Sequence, residues 1–233
     1  MRVSHLSVNH ITQELFEFFQ ELKRNNRREW FLANKDRYEN QVREPLQRFV
    51  SEFERPLREI SPHFRADPRP VGGSLFRIYR DVRFSPDKSP YKTHAGIQFR
   101  HEQGRDVHAP GFYLHLEPEN VFAAVGIWHP DSKTLQQIRE AIATEPKDWL
   151  KTKSDKDFSG LYELGGESLK RAPQGYEPDH PQIEDLKRKD YIAHIVFSER
   201  EACSPDFLDR YAQVSRRAAP FMRFLTEALG LSW

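Results

Sequence analysis

The chain has 233 residues, 37% hydrophobic and 30% charged, and its 36 basic side chains nearly cancel 35 acidic ones to leave a net charge of +1. That length suits one domain with a sizeable core, while the near-neutral balance excludes a global field that would recruit nucleic acid or an anionic membrane. The single Cys203 excludes an intramolecular disulfide and a thiolate metal cluster.

The first 14 residues mix Arg, His, Ser and Asn with isolated aliphatics and contain no apolar run of the signal-peptide kind. No stretch approaches the roughly 20 apolar residues of a membrane span. The expectation is a cytoplasmic protein with no membrane partner. Thr12 is placed to cap a helix whose Leu15, Phe16, Phe18, Phe19 and Leu22 form a broad apolar stripe, ended by Asn25-Asn26. A second helical region runs from about residue 29 to 60, with Tyr38, Val42, Leu46, Phe49, Phe53 and Leu57 at spacings of three and four, and Pro45 and Pro56 are expected to break or kink it. The Pro- and Gly-rich residues 61–73 read as an ordered connector.

The connector leads into the stretch that dominates the chain. Phe76, Ile78, Val82 and Phe84 alternate with Arg77, Tyr79, Asp81 and Arg83, which predicts a half-buried strand. Strict alternation also puts Arg80 on the apolar side, where it needs an inward carboxylate or a bulge that resets the register. Ser85-Pro86-Asp87-Lys88 then has the composition of a tight turn and Pro90 fixes φ again, so the loop carrying Lys88, Tyr91 and Lys92 is stiff.

Residues 95–100 form a short strand. Phe112, Leu114 and Leu116 alternate with Tyr113, His115 and Glu117, and a turn at 118–120 leads into a strand over 121–128, an antiparallel meander. Asp131 or Ser132 caps a helix with Leu135, Ile138 and Ile142 inward, and Trp149 and Leu150 extend its packing. Residues 151–166 are a polar excursion with one short element, a short helix runs through Ile183 and Leu186, 191–197 is a strand, and one long helix from Asp206 ends at Gly230. Strands in the middle with helices at both ends give an α+β fold, a central antiparallel sheet in a single domain over residues 1–233. Trp30 and Trp128 read as core aromatics.

The run Arg80-Asp81-Val82-Arg83-Phe84-Ser85-Pro86-Asp87-Lys88-Ser89-Pro90-Tyr91-Lys92 resembles the signature of an uncharacterised bacterial and fungal family, the domain of unknown function twenty-four sixty-one. Asn25-Asn26 with Trp30-Phe31 and Asn34-Lys35 is similar to the same family, as are Gly126-Ile127-Trp128 before Pro130, and Leu169-Lys170-Arg171 with Gly175-Tyr176, His180-Pro181 and Lys189-Asp190. Ala123-Ala124-Val125 departs from a more glycine-rich run. The resemblance spans about residues 15–229 and implies one continuous domain; it implies no activity.

Arg77, Arg83, Lys88 and Lys92 supply charge-assisted donors suited to a phosphate or carboxylate. The alternative is an internal ion-pair lattice through Asp81 and Asp87. Five cations against two acids over residues 77–94 leave an excess of three, which favours a small anionic ligand from outside. Arg171 and His180 are candidates to approach the same site, and Asn26, Asn34 and Lys35 to close it from the N-terminal side. If the protein is an enzyme, Asp81, Tyr91 and His94 are the acid-base candidates and a phosphate ester is the substrate class. The alternative function is an interaction module that docks an acidic protein segment or, less favoured, a nucleic-acid backbone. His94, His101, His108 and His115 recur every seven residues, but they cross two strands and a loop, so the period implies no common face; neither a metal nor another cofactor is expected.

Overall fold

The computed structural model describes residues 9–104 and 108–233. Its N-terminal third is helical where the three-and-four spacing predicts. Helices α1 (Gln13–Arg24), α2 (Arg28–Ala33) and α3 (Lys35–Tyr38) lead through a wide turn, Glu39–Arg43, into α4 (Glu44–Ile60). In that turn the Glu44 amide reaches back five residues to the Glu39 carbonyl. Pro45 follows that turn directly, so the disturbance expected of it takes the form of a local widening of one continuous helix and not a break. Pro56 breaks nothing: the helix continues to Ile60, because Phe53, Leu57 and Ile60 are buried on both sides of the lost bond. Thr12 occupies the N-cap position of α1 without a side-chain capping bond.

Strands β1 (Ala95–Arg100), β2 (Gly111–Glu117), β3 (Asn120–Ile127), β4 (Glu163–Gly165) and β5 (Tyr191–Phe197) form one antiparallel sheet in the order β1-β2-β3-β5-β4. Period-2 alternation sorts its faces. Ile97, Phe99, Phe112, Leu114, Val121, Ala123, Val125 and Ala193 are buried on one face, against α1 and the C-terminal helices. Gln98, Tyr113, Glu117, Phe122, Ala124, Ile192 and His194 lie on the other, which is only partly covered.

After β3 come α5 (Ser132–Thr144), capped by the Asp131 carboxylate on the Thr134 amide, then α6 (Pro146–Ser154) and α7 (Lys156–Ser159). Next are α8 (Ile183–Leu186), α9 (Glu199–Ala202), α10 (Phe207–Arg217) and α11 (Ala219–Ala228). The long final helix expected from Asp206 is therefore two, divided at Ala218 with Pro220 opening the second. Phe53 meets Phe99 and Tyr211 at ring distances of 4.6 and 4.8 Å, and Trp149 meets Phe224 at 5.2 Å, so the terminal helices share one continuous core with the sheet. Trp149 is buried as expected, whereas Leu150 and Trp128 are exposed.

The predicted strand over residues 75–84 is not regular. Phe76 donates its amide to Gly96 and Ser74 accepts from Gln98, each at 2.8–2.9 Å, so this segment flanks β1. By Ile78 and Arg80 the chain has changed partner, pairing instead with residues 90–92 through Lys92 N–H to Ile78 and Arg80 N–H to Pro90. The cause is Arg80, whose guanidinium cannot enter the core: it takes Asp87 and the Ser89 carbonyl from the returning loop, and the alternation ends there. Phe84, predicted to face inward, is 93% exposed. No helix among the described residues is long and apolar enough to cross a membrane.

Candidate functional site

Small residues on the open sheet face create a cleft of about 360 Å³. Gly111, Ala124 and Gly126 bring the backbone itself to the floor, and Phe76, Tyr113, Phe122, Ile192 and Trp128 are the walls. Gly126 has φ of +119°, and a Cβ there would come within 2.0 Å of the Tyr191 carbonyl, so the floor requires glycine. Two devices hold the walls. The segment flanking β1 delivers Phe76, and the buried Asp190 carboxylate accepts from the His129 amide at 2.7 Å and the Glu167 amide at 3.0 Å, pinning the turn that presents Trp128. Trp128 is 52% exposed at the rim and is not a core aromatic.

One end of the cleft is polar. Antiparallel pairing sets Ala95 opposite Leu116 and Gly96 opposite His115, which carries His94 to the corner where Glu117 ends β2. Tyr113, His115 and Glu117 project from the same face as the wall residues. The Tyr113 hydroxyl lies 3.0 Å from His115 Nδ1, His115 Nε2 lies 3.2 Å from Glu117 Oε2, and the His94 and His115 rings are 4.5 Å apart. Asn120 and Thr93 donate to Glu117 as well. Gly96 makes the corner possible, since a Cβ there would meet the Tyr113 hydroxyl at 2.7 Å.

Burial, reinforced by His115 alongside, holds the His94 imidazole down to about 4. Burial also lowers His115, against the pull of its Glu117 partner. Burial raises Glu117, but its bonds from His115 and Asn120 outweigh that and keep its carboxyl below the usual range. Near neutral pH the corner therefore holds two neutral imidazoles and one carboxylate. One nitrogen of each ring and one carboxylate oxygen lie within 4.8 Å of one another. Burial pushes the Tyr113 phenol well up, so it remains a hydroxyl.

The predicted cation cluster takes a different form. Arg83 grips Asp81 through Nε to Oδ1 at 2.9 Å and Nη2 to Oδ2 at 2.6 Å, and Arg80 pairs with Asp87. Lys88 donates to the Val82 carbonyl at 3.0 Å and Lys92 to the Arg77 carbonyl at 2.9 Å. Arg77 is exposed. Of these cations Lys92 is the one that reaches the cleft wall: its ammonium sits 5.4 Å from the Phe76 ring centre, and burial lowers its pKa. The acid-base candidates separate in the same way. Asp81 is exposed, held to about 2 by the Arg83 guanidinium. Tyr91 is buried, its ring stacked on Phe31 at 4.2 Å. His94 joins the polar corner.

Arg171 and His180 lie with the chain flanking the far edge of the sheet, where Leu169 pairs with Lys187. Four strand spacings, roughly 19 Å, separate that edge from β1. Arg171 is exposed, and His180 Nδ1 accepts the Gln182 amide at 3.0 Å in a turn. Lys187 and Lys189 pair with Glu184 and Glu167, a solvated face. Asn26 does reach the loop: its amide accepts from Tyr91 N–H at 3.1 Å and donates to Tyr91 C=O at 2.9 Å. Asn34 instead bonds within its own helical region, and Lys35 is exposed. Of the heptad-spaced histidines, His101 is buried on the Ser232 carbonyl and His108 bonds the Trp128 carbonyl, leaving His94 and His115 as the pair that meets. Sequence reasoning weighed His115 only as one of four heptad-spaced histidines and passed over Tyr113 and Glu117, although three polar residues at alternate positions on one strand are the signal for a polar sheet face.

A family model described as Conserved hypothetical protein (DUF2461) matches residues 14–224 of the chain. No curated protein matches it.

Proposed function

The chain belongs to the DUF2461 family of conserved hypothetical proteins, and from that premise we propose that it binds a small organic anion in the cleft on the open sheet face, as one cytoplasmic domain. The observation that carries this reading is an apolar cleft of about 360 Å³ that abuts the Tyr113, His115 and Glu117 chain. An apolar wall with a few convergent polar groups is the usual form of a small-molecule site. The ligand's planar body lies against Phe76, Phe122 and Trp128, and its phosphate or carboxylate turns to Lys92 and His94. Lys92 keeps donors for that anion because only one of its three ammonium hydrogens goes to Arg77. Arg83 and Lys88, tied within the loop, shape that loop, and Arg171 and His180 stay outside the ligand's reach.

For a phosphate-ester substrate, Lys92 orients the phosphate and neutral His94 accepts the proton of the attacking water. Asp81 and Tyr91 then serve the architecture, one bound to Arg83 and the other under Phe31.

Anilinonaphthalene sulfonate, an aromatic body with an anionic end, tests the site directly. It should bind the native protein with one saturable site, Ala124→Trp should abolish binding by filling the floor, and Lys92→Met should weaken it about tenfold, ~1.4 kcal/mol, for one charge-assisted contact. An uncharged analogue should not respond to Lys92→Met. Equal affinity in the native protein and Ala124→Trp would remove the cleft from the proposal.

Phe84 favours a second reading. A phenyl ring 93% exposed at a loop tip, with the Arg83 guanidinium 5.8 Å from its centre, has the character of an anchor for an acidic protein segment. Phe84→Ser should then abolish capture of acidic peptides from a displayed library while leaving dye binding unchanged.

A further inference from the structure

We infer that His94, His115 and Glu117 form a site for one divalent transition-metal ion, with zinc the best match to the donors. Two imidazoles and a carboxylate are a recurrent three-ligand set that leaves a coordination position open for water or substrate. A tetrahedral ion at about 2.1 Å from each ligand needs donor separations of roughly 3.4 Å. His115 Nε2 and Glu117 Oε2 already stand at 3.2 Å, and one nitrogen of each ring and one Glu117 oxygen lie within 4.8 Å of one another, so a small ring movement completes the set.

The surroundings are those a metal site requires. In the metal-free corner His115 Nε2 carries its proton toward Glu117; binding moves that proton to Nδ1, where the Tyr113 oxygen accepts it and holds the ring with Nε2 on the ion, while Asn120 and Thr93 orient the carboxylate. Gly96 keeps the corner open, and the partial exposure of His94 and Glu117 gives the ion a way in. The heptad of histidines therefore yields two ligands, and the third comes from the strand that carries one of them.

A bound ion takes His94 away from the anion and from the proton-accepting role, and the test contains no organic anion, so the site is read by itself. The full chain, freed of metal with a chelator, is titrated with Co²⁺ and then with Zn²⁺. The expected result is one equivalent of Co²⁺ per chain with visible bands of low-symmetry coordination, displaced by Zn²⁺. His94→Gln and Glu117→Gln should each lower affinity more than about tenfold, and Tyr113→Phe about tenfold through loss of ring orientation. His180→Gln should bind like the native chain. In the native protein, independent of any variant's folding, Zn²⁺ should move the NMR signals of the His94 and His115 rings. Absence of stoichiometric binding by the folded native chain, retention of binding in both His94→Gln and Glu117→Gln, or shifts confined to other histidines would each overturn the assignment.

Discussion

Asn26→Ala should unfasten the loop of residues 78–92 from the helical layer. The Asn26 amide occupies both backbone groups of Tyr91, at 3.1 and 2.9 Å, as a neighbouring strand would. Tyr91 is buried, so truncating Asn26 strands a donor and an acceptor together. At about 1–1.5 kcal/mol for each group, the loss comes to roughly 2–3 kcal/mol. For a chain of this size that lowers the thermal midpoint by roughly 4–12 °C. Asn26→Asp should recover less than half of the loss, since it still accepts from Tyr91 N–H but turns a carboxylate toward the carbonyl. Calorimetry gives the midpoints, and amide exchange locates the effect. Arg80 and Lys92, whose amides close the loop on Pro90 and Ile78, should exchange faster, while β2 and β3 should not change. A loss below about 0.5 kcal/mol would show that water replaces the side chain and that the clamp holds nothing.

Acid should weaken the fold through His94. Its folded value of about 4 lies below the ordinary 6.5, so the unfolded chain binds the proton more readily; stability is complete above about 6.5 and is lost as pH falls toward 4. Allowing for solvent screening of a partly exposed ring, the loss is roughly 1–2 kcal/mol. His94→Gln should flatten that part of the curve, and an unchanged slope would contradict the burial argument. Asp190→Asn keeps the shape but turns a donor toward one of two amides that the carboxylate now accepts. It should cost about 1.5–3 kcal/mol and weaken dye binding by releasing Trp128, as melting and fluorescence titration would show; full dye affinity would mean that the rim does not depend on Asp190.

Where one physical rule decided the outcome, the sequence was legible. The apolar stripe of α1, the Asp131 cap and the alternation of β1, β2, β3 and β5 each answered to local periodicity, and the structure has them at nearly the expected bounds. The stretch around Arg80 failed because two rules competed. Alternation asked for a strand, burial of a guanidinium forbade it, and Asp87 and Ser89, a few residues downstream, resolved the conflict by capturing the side chain. The polar corner was hidden for another reason. His94 and His115 lie 21 positions apart, and only the register that pairs Ala95 with Leu116 brings them together. Counting cations in the loop likewise could not show that Arg83 would close on Asp81 two residues away.

The irregular chain beside β1 has a consequence for life at high concentration. An outer strand with unsatisfied amides is a template for another molecule's backbone. Here Ser74 and Phe76 occupy those groups on Gln98 and Gly96, Arg65 takes the Arg100 carbonyl, and the opposite margin is only three residues long. Stripping away residues 74–92 should therefore do more than open the cleft: it should leave a sticky margin that stacks chain upon chain into aggregates.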